Sequence, residues 1–441
     1  MNKGKVLSLG IQHVLAMYAG AVIVPLIVGS ALKLSAEQLA YLVAIDLMTC
    51  GIATLLQVWN NRLFGIGLPV VLGCTFTAVG PMIAIGAQYG MSAIYGAVIA
   101  AGFFVFMIAG MFSKIVKLFP PVVTGTVVTI IGITLIPVAI KDMAGGQGSS
   151  DFGSPQNLLL SFGVLSSIII IYRFSNGFIR AVSILLGLFI GTVAAAMLGM
   201  ISFAPVMEAS WFHMPRPFYF GVPTLEAGAV ITMVLVAIVS MIESTGVFLA
   251  LGKICGKELS TDDIAKGYRG EGLAIMLGGI FNAFPYTTYS QNVGLIQLSG
   301  VKSKQVIVAA GALLVFLGLI PKVATLTTLI PAPVMGGAMM AMFGMVIASG
   351  IKMLSTVDFS KQENLLIIAC SVGLGLGVTV EPELFSKLPQ SVQILTDNGI
   401  VAGSLLAILL NLFFTKKKSQ AVIANSSGAQ RRNPQKTVSV S

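Results

Sequence analysis

Four ionisable side chains interrupt the apolar segments of this chain and could carry a proton. His13, Asp46, Glu243 and Glu271 lie within, or at the start of, long hydrophobic runs. A charged and unpaired carboxylate costs several kcal/mol inside a membrane-spanning helix. We therefore expect Glu243, deep in the apolar run Val236–Gly246, to be protonated during part of a working cycle or hydrogen-bonded to a ligand.

The other three groups also have structural interpretations. Glu271 opens the ninth apolar segment, near the membrane interface, where an acid at a helix N-terminus is favoured by the helix dipole. His13, next to Gln12, is more typical of a buried hydrogen-bonding residue than of a proton carrier. Asp46 could join two helices or belong to a relay, and the sequence leaves its role open.

Two short segments would make poor lipid-facing helices. Pro69–Thr77 and Pro285–Asn292 combine a proline with Gly, Thr, Ser and amide residues. Irregular backbone is tolerated at membrane depth only where protein buries it or where it lines a cavity. Broken helices in matching positions of two halves point to a binding site at the middle of the membrane, with half-helix N–H groups aimed at a polar substrate. The alternative is a pair of kinked structural helices, which the density of polar residues in 286–292 disfavours.

The elements that must position these residues are membrane-spanning helices. Of the 441 residues, 56% are hydrophobic and 10% are charged, and the mean hydropathy is +0.95. Soluble domains carry about 25% charged residues, so a soluble fold is excluded. The chain contains fourteen continuous apolar runs, of which the third (65–82) and the tenth (286–299) are the two short segments. This predicts an all-α polytopic membrane protein with about 14 transmembrane segments.

A repeat organises these segments. Pro121–Gly125 is followed by Gly132, and the same spacing recurs in Pro333–Gly337 followed by Gly344. Two halves of seven segments each must be inverted relative to one another, because an odd number of crossings reverses orientation. Most Lys and Arg residues fall on one side, which predicts that both termini are cytoplasmic. The polar, basic tail 416–441 is predicted to be disordered.

Several function classes are disfavoured. The four cysteines show no pairing pattern and are interpreted as reduced packing residues. We find no cluster with metal-ligand spacing and no nucleophile with a base, so we expect no metal, no cofactor and no enzymatic activity. The net charge of +10 is explained by topology, so we expect no nucleic-acid partner.

One motif links the chain to a known family. Gln291–Gly300 resembles the signature of the nucleobase–ascorbate transporter family, also called nucleobase:cation symporters of the second class. That signature reads Q/E/P, N, any residue, G, four of any, T and R/K/G, and Ser299 replaces the Thr here. Gln12–His13, Glu243–Gly246 and Glu271–Gly272 resemble further landmarks. The overall pattern is most similar to bacterial xanthine permeases.

The resemblance implies an architecture and a mode of action. It implies a core domain formed by 6–112 (segments 1–4) and 228–320 (segments 8–11), and a gate domain formed by 118–200 (segments 5–7) and 331–415 (segments 12–14). It further implies import of a purine nucleobase by proton symport with alternating access, in a multi-pass protein of the cell membrane that forms a homodimer. The proton is then the coupling ion.

Carried over to this chain, the resemblance assigns roles to individual residues. Glu243 would accept hydrogen bonds from ring N–H groups, Gln291 would read a neighbouring ring edge with support from Asn292, and Phe76 would stack on the heterocycle. The implied substrate-binding residues are Phe76, Thr77, Glu243, Ser290, Gln291 and Asn292. The implied proton-coupling residues are Glu243, Glu271 and His13.

The substrate is narrowed without being fixed. Thr77 occupies a place that is asparagine in some xanthine carriers and a small hydroxyl residue in some urate carriers, so xanthine, urate and guanine all stay open. Gln291 and Val247 replace residues typical of uracil carriers, which argues against a pyrimidine. Sodium could replace the proton, and an anion exchanger or channel of the same fold is the alternative class.

Overall fold

The computed structural model describes residues 2–115, 119–389, 392–393 and 396–430, most of which are α-helical. Helices are expected because a membrane-spanning segment must satisfy its backbone hydrogen bonds internally. The first half contains α1 (Lys3–Ala31), α2 (Ala36–Val58), β1 (Leu72–Cys74), α3 (Val79–Tyr89), α4 (Met91–Ile115), α5 (Pro121–Met143), α6 (Pro155–Phe174), α7 (Gly177–Ala181) and α8 (Ser183–Met197).

The second half begins after the short helix α9 (Ala204–Glu208). It contains α10 (Ala227–Cys255), α11 (Thr261–Phe281), β2 (Tyr286–Thr288), α12 (Ser290–Ser299), α13 (Lys304–Gly318), α14 (Pro321–Thr328), α15 (Ala332–Leu354), α16 (Gln362–Val380) and α17 (Gly399–Gln430). Helix α17 continues into the tail that the sequence predicts to be disordered. Its Lys, Gln and Ala residues are good helix formers, and 431–441 lie outside the described residues.

Within the described residues, eight helices are individually long and apolar enough to cross a membrane, and α13 with α14 forms a ninth candidate bent by 80°. Each of the fourteen predicted segments coincides with a helix or with a broken helix. The third and tenth segments are the ones interrupted by a strand. The all-α polytopic fold with interrupted segments three and ten is therefore confirmed.

One predicted boundary is wrong. The sequence places the start of the ninth segment at Glu271, but α11 begins at Thr261. A reciprocal capping arrangement between Ser260 and Asp263 starts the helix earlier, because each side chain accepts the backbone N–H of the other. Glu271 consequently lies well inside α11 and is buried, so the interpretation as a helix-terminal acid does not hold.

Helix packing follows a matched pattern in the two halves. Helix α2 packs on α13 as α4 packs on α11, and α1 packs on α13 as α10 packs on α4. Glycines allow the close approach: a Cβ atom at Gly51 would lie 2.5 Å from the carbonyl oxygen of Gly311, and one at Gly272 would lie 2.8 Å from that of Gly102. The same crossing thus occurs once between α2 and α13 and once between α4 and α11.

The most extensive packing falls within two sets of helices. Helices α1–α4 and α10–α14 pack mainly on one another, and so do α5, α6, α8 and α15–α17. Contacts between the sets are sparser, for example between α10 and α5. Strands β1 and β2 both lie in the first set, which therefore contains the interrupted segments.

Candidate substrate-binding site

The two interrupted segments meet as an antiparallel strand pair, which we call the strand crossing. Leu72 pairs with Thr288, Gly73 with Thr287 and Cys74 with Tyr286. Two further backbone hydrogen bonds extend the ladder, from Thr75 N to the Pro285 carbonyl at 2.9 Å and from Tyr289 N to the Val71 carbonyl at 3.0 Å. The exposed-backbone problem of a broken helix is thus solved by pairing one break with the other.

The polar segment 286–288 is extended, and the helix begins only afterwards. Proline at 285 removes a backbone donor, and the β-branched threonines at 287 and 288 favour a strand. Helix α12 starts at Ser290, and its N-cap residue Tyr289 supplies no side-chain cap. The first N–H groups of α12 are therefore free of a side-chain cap and carry partial positive charge. Ser290 is exposed and Gln291 is half-buried at this terminus.

Helix α10 runs alongside β2 and places Glu243 next to it. The Ser244 hydroxyl is hydrogen-bonded to that of Thr287 at 2.9 Å, and it accepts the backbone N–H of Thr288 at 3.4 Å. Glu243, the preceding residue, is half-buried, and no hydrogen bond joins its carboxyl group to the part of the chain that the structure describes. Its carboxyl group is thus unengaged beside the strand crossing.

Glu271 and His13 occupy two other sides of the site. Glu271 is 1% exposed and is an electrostatic neighbour of both Glu243 and Ser244. His13 accepts a hydrogen bond at Nδ1 from the Asn292 amide at 3.0 Å, and the same amide donates to the His13 carbonyl at 3.0 Å. Such a ring is neutral, with its proton on Nε2. His13 therefore orients Asn292 in this arrangement.

Phe76 and Thr77 follow β1 in a short 3₁₀ helix, Phe76–Ala78. The Phe76 ring meets the Phe343 ring edge-on, with centroids 5.7 Å apart and planes at 83°. Thr77 is fully buried. An aromatic ring and a hydroxyl thus lie at the β1 side of the strand crossing, as Glu243 and the amides lie at the β2 side.

Buried polar atoms without partners gather around this crossing. Four such atoms form no hydrogen bond with the described residues: Thr77 Oγ1, Glu271 Oε1, Thr288 Oγ1 and Asn292 Oδ1. Leaving a buried polar group unsatisfied costs about 1–3 kcal/mol, so native structures retain such groups for a reason. Acceptors, donors and an aromatic face converge here, which suits a flat, polar, ring-shaped molecule.

A cavity of about 970 Å³ begins one turn from Glu243. Ile242, Thr245 and Gly246 of α10 line one wall, and Ser349 and Lys352 of α15 line the opposite wall. The Thr245 hydroxyl is in turn hydrogen-bonded to Tyr268 of α11. The cavity therefore separates the helix set that contains the strand crossing from the set that contains α15.

Sequence reasoning missed several residues of this site. It did not assign roles to Ser244, Thr287 or Thr288, which join α10 to β2. The polar run 286–292 was a usable signal for the two threonines. Nothing in the sequence indicates that Ser244, rather than Thr245, faces the strand.

The chain matches a known family over most of its length. The model of a permease family, Xan_ur_permease, matches residues 4–384. The chain belongs to this permease family. It is therefore a multi-pass membrane permease and not an enzyme, and the recognition made from Gln291–Gly300 is confirmed.

Three relatives are similar along nearly the whole permease. The nucleobase transporter PlUacP of Paenibacillus larvae is 69% identical over 415 residues, covering 94% of this chain and 96% of that protein. The xanthine permease of Bacillus subtilis is 63% identical, covering 93% and 94%. The uric acid permease PucK of Bacillus subtilis is 62% identical, covering 95% and 97%.

A solved structure shares the fold. The transmembrane domain of a cyanobacterium bicarbonate transporter, BicA, superposes with a TM-score of 0.61 at 15% identity, covering 92% of the permease and 96% of that domain. At this identity the likeness concerns the fold alone.

Proposed function

We propose that this permease imports an oxopurine base, with xanthine as its principal substrate, by proton symport with alternating access. The observation that carries the proposal is the set of unpartnered polar atoms around the strand crossing, together with Glu243 and Gln291. The relatives named for nucleobases, xanthine and uric acid support the same substrate class.

The chemistry of an oxopurine fits these residues. Its edge presents N–H donors next to carbonyl acceptors, and a side-chain amide such as Gln291 pairs with both. The unengaged Glu243 carboxylate accepts a ring N–H as a charge-assisted hydrogen bond. Phe76 offers an aromatic face, and the Thr77 and Thr288 hydroxyls can donate to ring carbonyl oxygens.

Proton coupling follows from the acids. Two carboxyl groups, Glu243 and Glu271, are electrostatic neighbours in a buried setting that contains no ion pair among the described residues. Only one of them can be charged at moderate cost, so substrate binding at Glu243 is coupled to protonation of the pair. His13 acts at one remove, by orienting Asn292.

Alternating access is proposed to be a movement of the core helices, α1–α4 and α10–α14, against the gate helices, α5–α8 and α15–α17. The sparse contacts between the two sets and the cavity beside Gly246 support this division. The matched helix packing supports two inverted halves. We further propose cytoplasmic termini, a location in the cell membrane and a homodimer.

A second candidate substrate is urate. The uric acid permease PucK is as similar to this chain as the xanthine permease is, and Thr77 occupies the place where these specificities differ. An anion exchanger would have no use for the planar-edge readers Gln291 and Asn292, so the bicarbonate transporter likeness is not extended to function.

The test is an uptake assay in cells that lack their own purine permeases. Accumulation of radiolabelled xanthine is measured with and without a protonophore, and with unlabelled xanthine, urate, guanine and uracil as competitors. We expect uptake that collapses with the protonophore and is blocked by xanthine but not by uracil. Flux that is insensitive to the protonophore, or blocked by bicarbonate alone, would reject the proposal.

A further inference from the structure

Asp46 is a buried acid that the proposed transport mechanism does not use. It lies in α2 with no exposed surface, behind the strand crossing as seen from Glu243. The Tyr286 hydroxyl donates to Asp46 Oδ1 at 3.1 Å, and it is also hydrogen-bonded to the Thr49 hydroxyl. Tyr286 is the first residue of β2. The acid therefore contacts the substrate-binding strand directly.

The surroundings of Asp46 contain other titratable groups but no cation that pairs with it. Cys50 of α2 donates its thiol to Asp46 Oδ2 at 3.6 Å. Cys74 of β1, Tyr95 of α4, and Tyr286 and Tyr289 of the tenth segment also face it. All ion pairs found among the described residues lie elsewhere. A fully buried carboxylate without a cation is very costly, so Asp46 is present as the neutral acid.

Helix α2 holds both strands of the crossing. The Thr54 hydroxyl accepts the backbone N–H of Leu72 at 3.0 Å and donates to the Leu72 carbonyl at 3.4 Å, which secures β1. Asp46 and Thr49 secure β2 through the Tyr286 hydroxyl. Tyr286 stands two residues before Thr288 and five before Gln291. A shift of Tyr286 would therefore be passed to the substrate-facing residues along a single strand.

We propose that Asp46 is a positioning residue for the substrate site, fixing strand β2 through the Tyr286 hydroxyl. This inference rests on the proposed function, because it concerns the same site. It distinguishes Asp46 from Glu243 and Glu271: Asp46 keeps its proton throughout the cycle and supplies an acceptor oxygen, Oδ1. An amide oxygen at this position would serve equally.

The test compares three variants by the KM and maximal rate of xanthine uptake, normalised to the amount of each variant in the membrane. Asp46→Asn retains the acceptor, Asp46→Leu removes it, and Tyr286→Phe removes the donor. We expect Asp46→Asn to stay within about threefold of the wild-type KM with an unchanged pH profile. We expect Asp46→Leu and Tyr286→Phe to raise KM about tenfold, which converts to about 1.36 kcal/mol.

Two further measurements sharpen the test. The double variant Asp46→Leu with Tyr286→Phe should raise KM no further than the single changes, because both remove one interaction. Tyr89→Phe, at a half-buried tyrosine ending α3, is the matched control and should leave KM unchanged. If Asp46→Leu does not reach the membrane, Asp46→Asn and Tyr286→Phe decide the question.

The failures can be told apart. Wild-type KM for Tyr286→Phe would overturn the positioning role of Asp46. Loss of accumulation by Asp46→Asn, with exchange across the membrane retained, would also overturn it and make Asp46 a proton carrier. Failure of the wild-type chain to take up any purine would overturn the proposed function itself.

Discussion

Replacing Glu243 by glutamine tests the acid at the centre of the site. The carboxyl group is half-buried and forms no hydrogen bond with the described residues, so the protein itself loses little when the charge is removed. Glutamine has nearly the same shape and keeps an acceptor oxygen. The expected loss therefore falls on the substrate and on proton coupling rather than on folding.

The size of the effect follows from the bond that is weakened. A hydrogen bond to a charged group contributes about 1.5–3 kcal/mol, and a neutral one about 0.5–1.5 kcal/mol. The difference of about 1–1.5 kcal/mol lowers affinity about five- to tenfold. Accumulation should fall much further, because the variant can no longer exchange a proton at this position.

The assay has two parts, with Glu226→Gln as the matched control. Glu226 is the exposed N-cap residue of the same helix, and its side chain forms no capping hydrogen bond. Equilibrium binding of labelled xanthine to the purified chain should weaken about five- to tenfold in Glu243→Gln, and uptake against a gradient should be lost. The control should retain both. Normal accumulation by Glu243→Gln would refute the reasoning.

Three more predictions follow from local geometry. Gly73→Ala should abolish substrate binding, because the new Cβ would lie 2.6 Å from Cε1 of the Tyr289 ring, whereas Gly294→Ala, with no neighbouring atom within 4 Å, should bind normally; equilibrium binding with purified protein compares them. Gln291→Ala should change the ranking of xanthine, urate and guanine as competitors of uptake, and an unchanged ranking would remove it as a reader of the ring edge. Ser260→Ala should destabilise α11 by about 1 kcal/mol, seen as a lower unfolding midpoint in detergent with substrate affinity retained; an unaltered midpoint would argue against the capping arrangement at that helix start.

The sequence predicted the interrupted segments because their physics is local. Pro69 and Pro285, with polar residues after them, are incompatible with lipid-facing helices wherever they occur. Their matching places in the two halves then predicted that they meet. The structure adds that they meet as paired strands, with Gly73 opposite Thr287. Pairing register depends on two distant segments and is not written in either one.

Other features depended on tertiary packing and could not be predicted. Glu271 was expected near an interface because charged residues precede it, but the cap at Ser260 starts α11 earlier and carries Glu271 into the interior. The role of Asp46 stayed open because its partner, Tyr286, is 240 residues away in the chain. Such long-range partners are visible only once the helices are packed.

A structure of the permease determined by electron cryomicroscopy in the presence of xanthine tests the central claim most directly. The account predicts planar density beside the strand crossing, with its face against Phe76 and its edges within hydrogen-bonding distance of Glu243 and Gln291. Density for xanthine at any other place, with Glu243 and Gln291 making no contact to it, would contradict the account.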